Sequence, residues 1–166
     1  MWSSSQQYRL ALEKKLLEKE MPQFQWYDMT GNTYLEGYVK TYGNGDQYKL
    51  RVVLTSRFPD EMPNLFVVSP QRLPKYGGYG TVNAEGASHK FHTLKNGPGG
   101  CVQVCHFKPA FWDSSKTLVA VLIKGIFWLE GYEAHLKTDK VHKKRVKISV
   151  TTLKHLPDAL LLIIKE

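Results

Sequence analysis

Cysteine is scarce in this chain, with two among 166 residues, Cys101 and Cys105. A disulfide framework is therefore excluded as a source of stability. Two thiols four apart, with no secretion signal ahead of them, read as reduced groups and place the chain in the cytoplasm. Long hydrophobic runs are missing as well. Stretches such as Ala159–Ile164 fall far short of the roughly 18 apolar residues of a membrane span, so no membrane partner is expected. There is no internal repeat and no Gly-x-Gly-x-x-Gly nucleotide fingerprint. The His-x-Glu and Pro-Cys-x-x-Cys pattern of zinc deaminases is also absent.

Acidic residues are short, but only at one end. Residues 1–135 carry 15 Lys+Arg against 12 Asp+Glu, and residues 136–166 carry 8 against 3. The body is nearly balanced and the net charge of +8 comes mostly from the end of the chain. A basic segment suits nucleic acid or an acidic partner, or simply stays solvated. No recognition motif accompanies it, so nucleic acid is not the expected partner.

What is present fits one domain. The apolar content is 42%, and a chain of about 150 residues buries roughly 70% of its unfolded surface. Ser3-Ser4-Ser5 supplies caps for a first helix. Tyr8, Leu12 and Leu16 recur every four residues with Leu17 beside them, while Glu13, Lys14, Glu18 and Lys19 face away. Pro22 stops this helix near Glu20. Strands are expected over Phe24–Tyr27, Thr33–Thr41, Gln47–Thr55 and Leu65–Val68. Turns at Thr30–Asn32 and Gly43–Asp46 join the first three. Tyr48, Leu50, Val52 and Leu54 alternate with Lys49 and Arg51, the pattern of an antiparallel sheet with one buried face. Residues 69–100 are rich in glycine and show little periodicity, which predicts a long loop with a flexible part at Tyr76–Gly86. A second helix is expected from about Ser115 to His135, capped by Asp113 or Ser114. Leu118, Val121, Leu122, Ile126, Leu129 and Tyr132–Glu133 trace its stripe, and Trp128 adds to it. Gly125 and Gly131 each cost it about 1 kcal/mol of propensity. The fold class is α+β: an N-terminal helix, a four-stranded antiparallel meander, a site loop and a long helix.

The site loop is Gly97-Pro98-Gly99-Gly100-Cys101. Neither a helix nor a central strand tolerates this run. Three readings of its surroundings stand open. A thiol on a loop between sheet and helix is suited to nucleophilic attack on an ester, thioester or acyl adenylate. The amides of Gly97, Gly99 and Gly100 can then steady an oxyanion. Lys95, His106 and Lys108 add positive potential that favours thiolate. Alternatively, His89-x2-His92 and Cys101-x3-Cys105 are tolerable zinc spacings. In the third reading the cysteines are packing residues, which suits Cys105 better than Cys101.

The order of these features resembles a known family. Helix, meander, the Phe58-Pro59-x-x-x-Pro63 bend, His92, Gly100-Cys101-Val102, Trp112-x4-Thr117 and an apolar helix are together similar to the ubiquitin-conjugating-enzyme fold, over about residues 5–136. The resemblance implies a domain at 1–136 and a basic tail or docking segment at 137–166. It implies that Cys101 carries a protein C-terminus as a thioester and passes it to a target amine, with no cofactor and no metal. His92, Asn96, Gly99 and Gly100 would support the active-site loop. His92-Thr93-Leu94 stands where the family has His-Pro-Asn, so Asn96 or the glycine amides would stabilise the oxyanion. Trp128-Leu129-x-x-Tyr132-Glu133-x-His135 resembles compact, stand-alone bacterial members from antiphage operons that signal with cyclic oligonucleotides. There the transferred partner is a cyclic-oligonucleotide synthase, a nucleotidyltransferase. A catalytically weak scaffold that only binds partner proteins is the alternative.

Overall fold

The computed structural model describes residues 1–138. Helix α1 spans Ser4–Glu20. Gln6 N donates to Ser3 Oγ at 3.3 Å, and Ser3 N donates to the Gln6 side chain at 2.9 Å. This reciprocal pair satisfies two otherwise orphaned amides. The buried face of α1 is not the expected one. Leu10, Glu13 and Leu17 are buried, Tyr8 and Leu12 are exposed, and Leu16 is only partly covered. Glu13 causes the difference. Its Oε2 accepts the Leu118 amide at 2.9 Å, at the start of the long helix, and its Oε1 accepts Arg9 Nε at 2.8 Å. Negative charge at a helix N-terminus is favourable, and reaching that terminus brings Glu13 inside.

Five strands form one sheet in the order β1-β2-β3-β4-β5, all antiparallel: β1 Gln25–Tyr27, β2 Tyr34–Lys40, β3 Gln47–Val53, β4 Asn64–Ser69 and β5 Val102–Val104. The expected meander is thus one strand short. β5 has three residues and directly follows Cys101, so no periodicity marks it. Its pairing with β4 sets Val104 opposite Leu65 and Val102 opposite Val67. These four side chains and those of Leu50 and Val52 are buried, as β3 alternation requires. The opposite face carries Glu36, which is paired with Lys49 and Arg51.

Two further α-helices follow, short α2, Val82–Glu85, and long α3, Leu118–Thr138, with short 3₁₀ turns between the elements. α3 begins later than expected because Thr117 is its cap, with Ala120 N donating to Thr117 Oγ1 at 3.2 Å. Asp113 instead accepts from Ser115 N at 2.8 Å within its own turn. α3 lies on the apolar sheet face. A Cβ at Gly125 would stand 2.8 Å from Leu65 Cδ2 and 3.1 Å from Leu50 Cδ1, so glycine here permits close approach. The expected domain boundary at 136 falls inside α3. The remainder of the basic segment lies outside the described residues.

The long loop between β4 and β5 contains α2 and is held by α3. Trp128 Nε1 donates to Phe91 O at 2.7 Å, Tyr132 Oη donates to Pro74 O at 2.8 Å, and Tyr76 N donates to His135 Nε2 at 3.2 Å. Residues 128, 132 and 135 share one helix face by their spacing. The expected stripe therefore also provides two polar attachments, Trp128 and Tyr132, and His135 adds a third, for the loop that carries the thiol.

Candidate functional site around Cys101

Cys101 closes a 3₁₀ turn, Pro98–Gly100. Gly99 and Gly100 have φ of 69° and 75°, a region that glycine enters without steric cost. Gly100 N donates to Gly97 O at 3.0 Å, and Gly97 N donates to Cys101 O at 2.9 Å. Gly97 is fixed by space, since a Cβ there would fall 2.2 Å from the Phe66 ring. The glycine run thus lies across the outer side of β4 and delivers Cys101 to the start of β5. Cys101 is a free cysteine and, like Cys105, half-buried.

Two side chains clamp this turn, and sequence reasoning missed both. Gln71 Nε2 donates to Gly99 O at 2.6 Å. Asn83 Nδ2 donates to Gly100 O and to Gln71 O, each at 2.8 Å, while Asn83 Oδ1 accepts Leu73 N at 2.9 Å. The carbonyl immediately before Cys101 is therefore tied to the far end of the loop. Asn-Ala-Glu in α2 offers no local pattern that announces this role.

The expected supporting residues divide. Asn96 is beside the clamp, and its Nδ2 donates to Asn83 O at 2.6 Å. That hydrogen bond secures the loop and commits one amide proton to the backbone. The amides of Gly97 and Gly100 are also engaged inside the turn, so the three-amide oxyanion site is corrected to fewer groups. Gly99 N is the glycine amide that remains of the three, next to the turn's last residue. His92 is exposed at φ 51°, and its carbonyl accepts Cys105 N at 2.9 Å. Its backbone is thus paired opposite Cys105, at the other end of β5 from Cys101. Lys95 and Lys108 are exposed.

His106 does not supply the positive charge expected of it. It is buried, and its Nε2 lies 2.8 Å from Pro63 O. A carbonyl only accepts, so Nε2 carries the proton. Burial pushes its pKa down to about 4, against a smaller opposing effect of the Pro63 bond, so the imidazole is neutral at pH 7.

The zinc reading finds no cluster. Among the described residues no three His, Cys, Asp or Glu side chains gather as a metal site requires. Cys101 and Cys105 flank the extended β5, and four residues of strand span about 13 Å. Two zinc ligands must both lie about 2.3 Å from the ion. Cys105 is half-buried, with its thiol 3.8 Å from Phe107 O. No described helix is long and apolar enough to cross a membrane.

Neither a scan against protein-family models nor searches of curated proteins and of solved structures returned a match to this chain. Fold and site together define an α+β protein bearing a half-buried free cysteine on a clamped glycine turn.

Proposed function

We propose that Cys101 accepts the C-terminal acyl group of a partner protein as a thioester and passes it to a lysine amine. The observation that carries this reading is the setting of the thiol. It is half-buried behind two exposed, left-handed glycines, and Gln71 and Asn83 hold the carbonyls on its N-terminal side. A reachable nucleophile on a held backbone is what acyl capture needs.

Two steps complete the transfer. The thiolate attacks an activated acyl carbon, such as that of an acyl adenylate supplied by an adenylating partner, and AMP leaves. The target amine then attacks the thioester, loses a proton, and expels the thiolate as the amide forms. The amide of Gly99 is the oxyanion donor this reading assigns. His92 shapes the loop. The resemblance to compact bacterial ubiquitin-conjugating-like proteins makes the carried partner a cyclic-oligonucleotide synthase and the setting cytoplasmic antiphage defence. A binding scaffold is the second reading, favoured by Leu94 at the position of the family's asparagine.

The test is a Cys101→Ser protein co-expressed with the genes that flank its own, purified and weighed intact. An ester-linked adduct, lost in mild base and absent from Cys101→Ala, is expected. An unmodified mass with the partner bound non-covalently would favour the scaffold.

A further inference from the structure

The sheet face opposite α3 carries an ordered set of rings and cations. Tyr27 and Tyr34 are register partners on β1 and β2, and their rings stack at 4.9 Å with planes 9° apart. Arg51 of β3 lies over the same Tyr34 ring, its Cζ 4.9 Å from the centroid. β1 and β3 flank β2, so Tyr27 and Arg51 reach Tyr34 from opposite sides. The stack therefore ends at Tyr27, on the strand that ends the sheet among the described residues. Further along β2, Tyr38 repeats the arrangement. Its register partner Lys49 lies over its ring at 5.7 Å. β1 pairs only as far as Glu36, which leaves Tyr38 48% exposed. The cations are not all neutralised. Lys49 and Arg51 share one carboxylate, Glu36, and the exposed Lys40 follows on the same face. The other side chains of β1–β3 on this face, Gln25, Gln47 and Val53, are uncharged. Three cations against one acid leave a surplus of two positive charges.

We propose that this face binds single-stranded nucleic acid. One base extends the Arg51–Tyr34–Tyr27 stack at its open end, a second lies on Tyr38, and the phosphates between them face Lys40, Lys49 and Arg51. Aromatic rings beside cations hold bases of any identity, because every base has a π-face. Tyr34 and Tyr38 stand about 13 Å apart along the strand, too far for one nucleotide to reach both stacks. The occupant is therefore a chain, in which each unit brings a ring and an anion, as this face requires. The proposal does not rest on the thioester reading. Gly97 lies against Phe66, the register partner of Arg51, so the same face also carries the Cys101 turn, and the bound strand lies beside it. No single segment marks this surface, because its rings and cations come from three strands.

The test uses the full chain with short fluorescein-labelled oligothymidylate and oligouridylate, followed by fluorescence anisotropy. Saturable binding is expected, and the tighter of the two tells DNA from RNA. Two surplus charges predict that log K falls against log salt with a slope of about −1.4, and Lys40→Gln should reduce that slope by about 0.7. Tyr27→Ala and Tyr38→Ala should each weaken binding roughly tenfold. Lys14→Gln, on α1, should leave it unchanged. The ring protons of Tyr27 and Tyr38 should move upfield in NMR spectra of the unmutated protein as oligonucleotide is added. Unmoved ring signals at saturation, or full binding by both tyrosine variants, would overturn the proposal. So would a loss in Lys14→Gln equal to that in Lys40→Gln, which is the mark of attraction to net charge alone. Displacement by ATP at the same nucleotide concentration, or by a Glu-Glu-Trp-Glu-Glu peptide at a lower one, would do the same. Cys101→Ala should bind the oligonucleotide normally, so failure of this face and failure of acyl transfer are separable.

Discussion

Asn83 is the side chain on which the position of Cys101 most depends. It joins Leu73, Gln71 and Gly100 through three side-chain hydrogen bonds, and its own carbonyl receives Asn96. Losing these leaves amides and carbonyls without partners, at about 1–3 kcal/mol. Asn83→Ala should therefore lower the urea midpoint and speed alkylation of Cys101 by iodoacetamide several-fold. Gln71→Ala should do less, since one bond is lost. Unchanged stability and reactivity in Asn83→Ala would show that the glycine turn holds itself. His106 makes a pH prediction. Its folded pKa of about 4 lies below the ordinary 6.5, so its neutral form is favoured by folding. The stabilisation is complete above pH 6.5 and is lost as pH falls towards 4, by about 3 kcal/mol in all. Glu13 and Glu133, both raised by burial, act in the opposite sense. The contribution is therefore isolated by NMR titration of the His106 ring, whose signals should stay fixed from pH 8 to about pH 5. A midpoint near 6.5 would contradict it.

At α3, glycine is a packing choice rather than a weakness. Gly125→Ala gains about 1 kcal/mol in helix propensity but sets a methyl 2.8 Å from buried Leu65. Overpacking of this kind costs about 1–3 kcal/mol. The net effect should be destabilising, and thermal unfolding should show a Tm a few degrees lower. A higher Tm would mean that β3 and β4 retreat at little cost. The helices also show where periodicity informs and where it misleads. The α3 stripe and the β3 alternation were legible because many apolar residues repeat at one period. The α1 face was not. Its four-residue repeat of Tyr8, Leu12 and Leu16 is outweighed by one carboxylate, Glu13, which binds the start of a helix more than a hundred residues later. No local window contains that contact.

Among the described residues, the core runs from Trp2, ahead of α1, to Tyr132 in α3. A chain ended at Thr138 should fold, unfold in one cooperative transition and keep the Cys101 alkylation rate of the full protein. Broad or multiphasic urea unfolding of that chain would show that the core depends on residues 139–166. Trp112 Nε1 donates to Pro59 O at 3.0 Å. The Phe58–Pro63 bend and the segment after β5 are therefore fastened together.

The chain order alone settled the class and much of the plan. Alternation and turn residues specified the first three strands of an antiparallel sheet, proline placed the end of α1, and glycine with proline marked the Cys101 turn. These are short-range effects, decided by backbone sterics and by which side chains repeat at a strand or helix period. Tertiary structure decided the rest. It paired β5 with β4, turned Glu13 inward, buried His106 as a neutral ring and made Asn83 the clamp of the thiol. Each of these depends on a partner distant in the chain. A polar side chain is drawn inside only where folding brings it a hydrogen-bond partner, and no stretch of sequence records where that partner will be.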